Sequence, residues 1–456
     1  MFAMRGRRLV LVAAIISTLL ILLVVQKGLG DTSREHIDKV VHNDKNDDEQ
    51  KELPQVKFLP EPTWTPPPIK DPFPALETAR PPPVPSWNRP KKDAHKRYGI
   101  DYAPPLFIGF TRTWPILLQA VVSYITAGWP PEQICVVENT GVQRANAQGR
   151  LTLQNPWYMN HRQLEKLGVK IVQAPVLMNF AQLQNFYTHL AGVNDWPYYF
   201  WSHMDVLVLS YEDGMEGVTP KAGEEGYKTV YELCLTELNR AMHSDERWAD
   251  KFFAYDHLTL VNREAYEEVG GWDTFIPYYM TDCDMHSRLL MHNWTQADAK
   301  AGIVTDVGAV LDDLRALYRD PAVEPAFTDP NPPPPPPPPP PPKPEDEDEG
   351  DGEEQDGTRA RRALGGSALE YYEKLRGAAD RMFHHKHGDR GRNTWQLGQQ
   401  GGQGEPFYYP SRGIAEAMAV LTEAGREVYR RKWGRRDCDL TRLRLEDQWL
   451  VAEDWE

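Results

Sequence analysis

Two acidic clusters hold the chain's candidate chemistry. His203-Met204-Asp205 sits between two short β-prone runs, Tyr198–Trp201 and Val206–Leu209. A short continuous apolar run reads as a fully buried strand, and a carboxylate at its end is costly to bury without a partner. A divalent cation, or a ligand crevice at the strand's carboxyl end, relieves that cost. A capped turn in which Asp205 bonds backbone amides is the plainer alternative. The second cluster, Thr281-Asp282-Cys283-Asp284, follows Gly270-Gly271-Trp272-Asp273. Carboxylates in the first turn of a helix are favoured by its dipole, so both aspartates also have an ordinary helical explanation. Asp282 and Asp284 are two positions apart and cannot share one helix face. Three further polar groups stand out: Thr111-Arg112-Thr113, Glu138-Asn139-Thr140-Gly141, and the basic, histidine-bearing stretch His384, His385, Lys386, His387, Asp389, Arg390 and Arg392.

The elements that must position these residues alternate between strand and helix. Leu106–Phe110 reads as a buried strand and Trp114–Ile125 as a helix with Thr113 as its N-cap; Gln133–Glu138 is a second strand. Strand, helix and strand in that order make a βαβ unit with a right-handed crossover. A helical piece, Tyr158–Leu167, leads to strand Val169–Gln173. Asn179 with Gln182 then forms a capping box that opens a further helix. Lys251–Val261 reads as one strand. Asn262 caps the short helix Arg263–Val269, Gly270-Gly271 ends it, and a helix runs from Thr281 or Asp282 to Met291. Gly302–Val310 and Leu311–Tyr318 read as a strand and a short helix, and Ala368–Phe383 and Ile414–Lys432 as longer helices. Repeated βα units with polar strand tips predict an α/β fold, an open, mostly parallel sheet flanked by helices, with a crevice at the carboxyl ends of its strands.

The flanking segments set the expected compartment. Arg5, Arg7 and Arg8 precede the apolar run Leu9–Val25, which reads as a short transmembrane helix, with a cleaved signal peptide as the alternative. Charge asymmetry then leaves residues 1–8 as a cytosolic tail and the remainder in a lumen, as a single-pass type II protein. Residues 26–97, charged and then proline-rich, read as a disordered stem. The folded body is expected over 98–320, a proline-rich and acidic disordered insertion over 321–360, and a helical part completing the body over 361–456. Cys135, Cys234, Cys283 and Cys438 allow three disulfide pairings, among which the sequence does not choose. With 51 basic and 66 acidic residues the formal charge is −15, which argues against a nucleic-acid partner.

These pieces, in this order, resemble the GT-A (Rossmann-like) nucleotide-sugar glycosyltransferases, most nearly the family 2 pattern, over roughly Leu106 to Trp294. The Asp-x-Asp motif of that pattern reads here His203-Met204-Asp205, its "GGWD" reads Gly270-Gly271-Trp272-Asp273, and its "EDxD" reads Thr281-Asp282-Cys283-Asp284. The resemblance implies a nucleotide-sugar donor, a glycan, protein or lipid acceptor, and a Golgi or endoplasmic-reticulum membrane. It implies Mn²⁺ or Mg²⁺ held by Asp205 and His203, where imidazole suits Mn²⁺ better. Thr111, Arg112, Glu138 and Asn139 would meet the nucleotide, and Gly271, Trp272 and Asp273 the sugar. Asp282, with Asp284 beside it, would take the acceptor proton. Lys386, Arg390 and Arg392 would close over the diphosphate; a merely solvated basic loop is the alternative. His203 and Thr281 replace acidic residues of the pattern, which is equally compatible with a non-catalytic binding protein that kept the fold.

Overall fold

The computed structural model describes residues 55–58, 60, 68–328, 368–388, 399–407 and 410–452. The apolar run 9–25, the proline run, most of the acidic insertion, Arg390 and Arg392 lie outside them. Among the described residues no helix is long and apolar enough to cross a membrane.

The body, Pro66–Glu456, is built on a seven-stranded sheet in the order β3-β2-β1-β4-β7-β6-β8. β1 (Leu106–Phe110), β2 (Ile134–Glu138), β3 (Lys170–Gln173) and β4 (Tyr198–Ser202) are mutually parallel, in the register Ile108–Val136 and Ile108–Ser202. β1, β2 and β4 are near-continuous apolar runs because helices cover both their faces. β3 is the edge, with Lys170 and Gln173 exposed and Ile171 and Val172 half-buried between them. β7 (Leu258–Asn262) runs antiparallel to β4 and to β6 (Trp248–Phe252), and β8 (Thr295–Asp298) parallel to β6. β5 (Val206–Leu209) leaves this sheet and pairs antiparallel with β9 (Ile303–Asp306).

The helices divide between the two faces. α1 (Trp114–Thr126) belongs to the larger core, with Leu106, Ile108, Phe200 and the β5 valines. α2 (His161–Leu167) supplies Leu164 and Leu167 to it. α3 (Phe180–Val193) belongs to the opposite core, where Ala181, Tyr187 and Ala191 meet Phe107, Tyr199 and Trp201. Its capping box forms as the sequence suggests, with Asn179 and Gln182 each bonding the other's backbone amide. Every residue of α1 is buried. The small β5–β9 sheet covers its far side, and its polar residues are tied to backbone there: Gln119 Oε1 accepts from Leu311 N (2.8 Å) and Ser123 Oγ from Val208 N (3.0 Å). A helix apolar all round is a buried one. α4 (Val230–Met242), α5 (Arg263–Glu268), α6 (Thr281–Met291), α7 (Ala368–His387) and α8 (Ser411–Trp433) complete the body.

Three expectations need correction. The run Lys251–Val261 is not one strand but parts of β6 and β7, joined by a turn in which Ala254 and Tyr255 have positive φ. Thr113 precedes α1 in the left-handed region and makes no side-chain cap; its hydroxyl donates to Gln399 Oε1 at 2.8 Å. The stretch 71–97, expected as stem, packs on the body. Phe73, Leu76 and Ala94 are core residues, Leu314 N donates to Pro72 O (2.9 Å), and buried Asn88 donates to Glu212 (2.8 Å). Prolines here open short turns that bury Leu76 and Asn88 against the body, so composition alone misread them.

Candidate functional site

The first three parallel strands and β4 end on one edge of the sheet. Their connections leave in opposite directions, α1 to one face and α3 to the other, which opens a crevice between the carboxyl ends of β1 and β4. On the β1–β2 side of it, Asn139 acts as a stitch. Its amide N–H bonds Phe110 O (2.7 Å), its side chain donates to Met178 O (2.9 Å), and its Oδ1 accepts from Met178 N (2.7 Å). Thr111 Oγ1 accepts from the same side chain at 3.4 Å, and Arg112 beside it is half-buried. Glu138 is fully buried and its carboxylate is taken up by Asn146 (2.8 Å), His161 (3.0 Å), Thr140 (3.3 Å) and Gln173 (3.4 Å). Glu138 and Asn139 therefore shape the tip rather than reach out from it.

The β4 tip gathers a larger set of charges. Ser202 accepts from Tyr124 Oη and donates to His257 O, 2.8 Å each, and His203 N donates to the same carbonyl at 3.1 Å. These bonds join the end of β4 to the turn before β7 and set His203 and His257 edge to face, 5.2 Å apart. His203 stands between two carboxylates, Nδ1 3.6 Å from Asp205 Oδ1 and Nε2 3.7 Å from Asp256 Oδ1. Burial opposes charge on this imidazole, but Asp256 and Asp205 overcome it and lift its pKa to about 10. Burial likewise pushes the Asp205 carboxyl up, while His203 and Lys386 outweigh it and hold it far below the usual carboxylate range. His257 moves the other way, down to about 4, through burial and the neighbouring His203.

The remaining partner comes from far along the chain. Lys386, in the last turn of α7, is 6% exposed, and its ammonium lies 2.7 Å from Asp205 Oδ2, 2.5 Å from Asp306 Oδ1 and 3.5 Å from Val307 O. His387 Nε2 sits 3.1 Å from Asp306 Oδ2 and His257 Nε2 sits 3.8 Å from the same oxygen. Lys386, expected in a solvated or mobile loop, is thus a buried helical residue. Asp205 and His203 do not fit the expected Mn²⁺ or Mg²⁺ site. Asp205 Oδ2 already carries the Lys386 ammonium at 2.7 Å, where the cation would sit, and its Oδ1 faces His203 Nδ1 at 3.6 Å. Among the described residues no three His, Cys, Asp or Glu side chains converge as metal ligands.

The second acidic cluster is organised differently. α6 starts at Thr281 with Met280 as a left-handed N-cap and no side-chain cap, so Asp282, half-buried in the first turn, does not cap the helix. Asp284 is fully buried. Arg288 Nε reaches Asp284 Oδ2 at 2.9 Å, and Trp433 Nε1 (2.8 Å) and Lys432 Nζ (2.7 Å) reach Oδ1. The same Arg288 donates to Val269 O and Gly271 O, 2.7 Å each, and the same Lys432 bonds Asp273 Oδ2 at 2.7 Å. Asp284 is therefore a structural anchor, correcting its expected place beside the base, and Asp273 is bound from α8. Trp272, expected to offer a face to a sugar, is 3% exposed and lies edge-on to Phe180 (5.4 Å) and His286 (5.9 Å). Gly271, at φ 70°, is needed for a different close approach: a Cβ there would lie 2.6 Å from Asn185 Oδ1, the atom that accepts from Trp272 N. Cys283 is disulfide-bonded to Cys438, and Cys135 and Cys234 are buried free thiols.

Sequence reasoning missed Asp256, His257, Asp306 and Asn185. A signal existed for two of them, since Asp256 and His257 interrupt an apolar run where a plain strand needs neither. Two concavities, one lined by Asp213–Lys221 and one by Trp433, Arg435, Arg442 and Val451, include none of the residues of the β4 tip.

No family model matches the chain, and no curated protein does. Solved structures do. A mannosyltransferase from Pyrobaculum calidifontis, in complex with GDP-Man and Mn²⁺, aligns with 45% of this chain at 12% identity and a TM-score of 0.27, and the chain spans 60% of that protein. A cytidylyltransferase from Leptospira borgpetersenii aligns with 43% of this chain and 75% of its own, at 8% identity and a TM-score of 0.25. Both likenesses are too slight to carry an argument about function.

Proposed function

We propose that this chain is a GT-A-like glycosyltransferase of the family 2 type, moving a sugar from a nucleotide-sugar donor to a glycan, protein or lipid acceptor. The observation that carries this reading is the crevice between β1 and β4, flanked by Thr111-Arg112 on one side and by His203, Asp205 and Asp256 on the other. Open α/β sheets bind ligands at such a switch point. Thr111 and Arg112 meet the donor's nucleotide, with Glu138 and Asn139 holding the tip in shape. Asp282 is the acceptor's general base. The run 9–25 anchors the chain as a single-pass type II protein in a Golgi or endoplasmic-reticulum membrane, with its body in the lumen. A second reading, a lumenal binding protein without turnover, is favoured by one feature: Asp205 is already neutralised from within.

A thermal-shift panel of nucleoside diphosphates and nucleotide sugars tests the proposal, because a ligand that binds only the folded state raises its melting temperature. One nucleotide family should stabilise the protein, and its sugar conjugate should be consumed in the presence of acceptor. Stabilisation without any sugar release would favour the second reading. No response to any nucleotide would overturn both.

A further inference from the structure

We infer that the Lys386 ammonium holds the place of a cation in this crevice, so that the site excludes a free divalent metal ion. It concerns the crevice described above and rests on the transferase reading only for its consequence, chelator-insensitive donor binding.

The argument is geometric. Asp205 follows β4 and Asp306 ends β9, and Val307 N bonds Asp205 O at 2.8 Å, so the backbone itself brings the two carboxylates together. Two carboxylates side by side, one 7% and the other 2% exposed, need a positive charge between them. A divalent cation is one solution and an ammonium is the other. Here the nitrogen of Lys386 sits 2.7 Å from one carboxylate and 2.5 Å from the other, with Val307 O as a third acceptor at 3.5 Å. An ammonium has three donors and no acceptor, and all three directions point at oxygens. A metal ion entering between Asp205 and Asp306 would have to displace this buried charge, which already occupies both carboxylates.

The helix that delivers the lysine is well anchored, so its position is set by packing. Tyr372, Leu375, Ala378, Ala379 and Met382 of α7 are all buried in the main core, and Tyr372 Oη donates to Ser210 O at 2.8 Å. The hydrophobic face thus fixes where the last turn ends, and Lys386 follows one helical turn after Met382 on the same face.

Mn²⁺ alone, followed by its electron paramagnetic resonance signal, separates this inference from the transferase reading, because no donor is needed. The wild-type protein should leave added Mn²⁺ free at neutral pH. Lys386→Ala removes a charge within reach of two carboxylates, and an opposite charge at that range is worth one to three pKa units, about 10- to 1000-fold in cation affinity. Lys386→Ala should therefore bind about one Mn²⁺ that Asp205→Asn in the same background abolishes. Lys386→Met retains the apolar stem and serves where the alanine variant does not fold; Lys386→Arg should stay free of metal. One Mn²⁺ bound by the wild type and lost in Asp205→Asn would overturn the inference, and so would binding by neither wild type nor the folded lysine variants. A nucleotide found by thermal shift should then bind equally with and without chelator; binding lost on adding chelator would overturn the metal exclusion, whereas the absence of any nucleotide binding would count against the transferase reading and leave the metal exclusion standing.

Discussion

The tip of β4 and the start of α6 both carry candidate aspartates, and the fold treats them in opposite ways. At α6 the charge is closed off. Asp284 meets Arg288, Lys432 and Trp433, and none of these groups is more than marginally exposed. At β4 the charge is balanced but kept near the surface: the side chains of His203 and Asp256 are 27% and 16% exposed, and Nε2 of the one and Oδ1 of the other face each other at 3.7 Å without a hydrogen bond. Both clusters borrow their cations from the last part of the chain, Lys386 from α7 and Lys432 from α8. The contrast teaches that an acidic motif carries no information about its own neutralisation. The same residue type is a fastener where the cations close around it and a candidate for chemistry where neighbouring side chains stay partly exposed.

Substitutions can break this comparison. The largest effect is expected at Asp282, the member of the α6 cluster that stays half-buried. If it is the acceptor's base, Asp282→Asn should slow turnover by about 10²–10⁴-fold while leaving the denaturation midpoint in place; unchanged turnover would assign both aspartates of α6 to structure. Asp284→Ala should act on stability instead. It leaves buried Arg288 without its carboxylate partner and Lys432 held by Asp273 alone, and removing one partner of a buried pair costs about 3–5 kcal/mol, to be read from urea unfolding. Asp205→Ala should cost less, about 1–3 kcal/mol, the penalty of one buried group left short of a partner, because Asp306 still holds Lys386. An Asp205 loss as large as that at Asp284 would erase the distinction drawn here.

The smallest effect separates the two histidines at β4 by pH. His203 has a folded pKa raised to about 10, so its contribution is complete below 6.5, its unfolded value, and is lost as pH rises through 10. His257 is lowered to about 4, so its neutral form favours folding above 6.5, and that gain is lost as pH falls from 6.5 towards 4. Together they place a shallow maximum of stability near their common unfolded value. His203→Gln should flatten the alkaline side of the profile and His257→Gln the acidic side; the reverse assignment would show that the two environments have been exchanged.

Most of the sheet was legible because its strands are short apolar runs with polar ends, and Leu106–Phe110, Ile134–Glu138 and Tyr198–Ser202 announce themselves that way. The capping box of Asn179 with Gln182 and the glycine stop at Gly270-Gly271 are local, and they read correctly for the same reason. What escaped was long-range or conformational. Nothing between Lys251 and Val261 resembles a common turn signal, since Ala254 and Tyr255 take positive φ without a glycine between them. Trp272 reads as a free aromatic face until Phe180 and His286, from separate helices, close on it. Asp205 and Asp282 could be singled out by spacing, but the partners of Asp205 lie up to 181 residues away.

That separation also sets a sequence of events in time. Domains assemble as the chain leaves the ribosome, amino-terminal parts first, at about 5–20 residues per second. Asp205 and Asp306 are made 181 and 80 residues before Lys386, with the whole proline-rich and acidic insertion still to come. The strands that carry the two carboxylates can therefore pair before Lys386 exists, with His203 beside Asp205 and His257 beside Asp306 already made. Synthesis of the last helical turn of α7 then brings the ammonium that joins the two carboxylates.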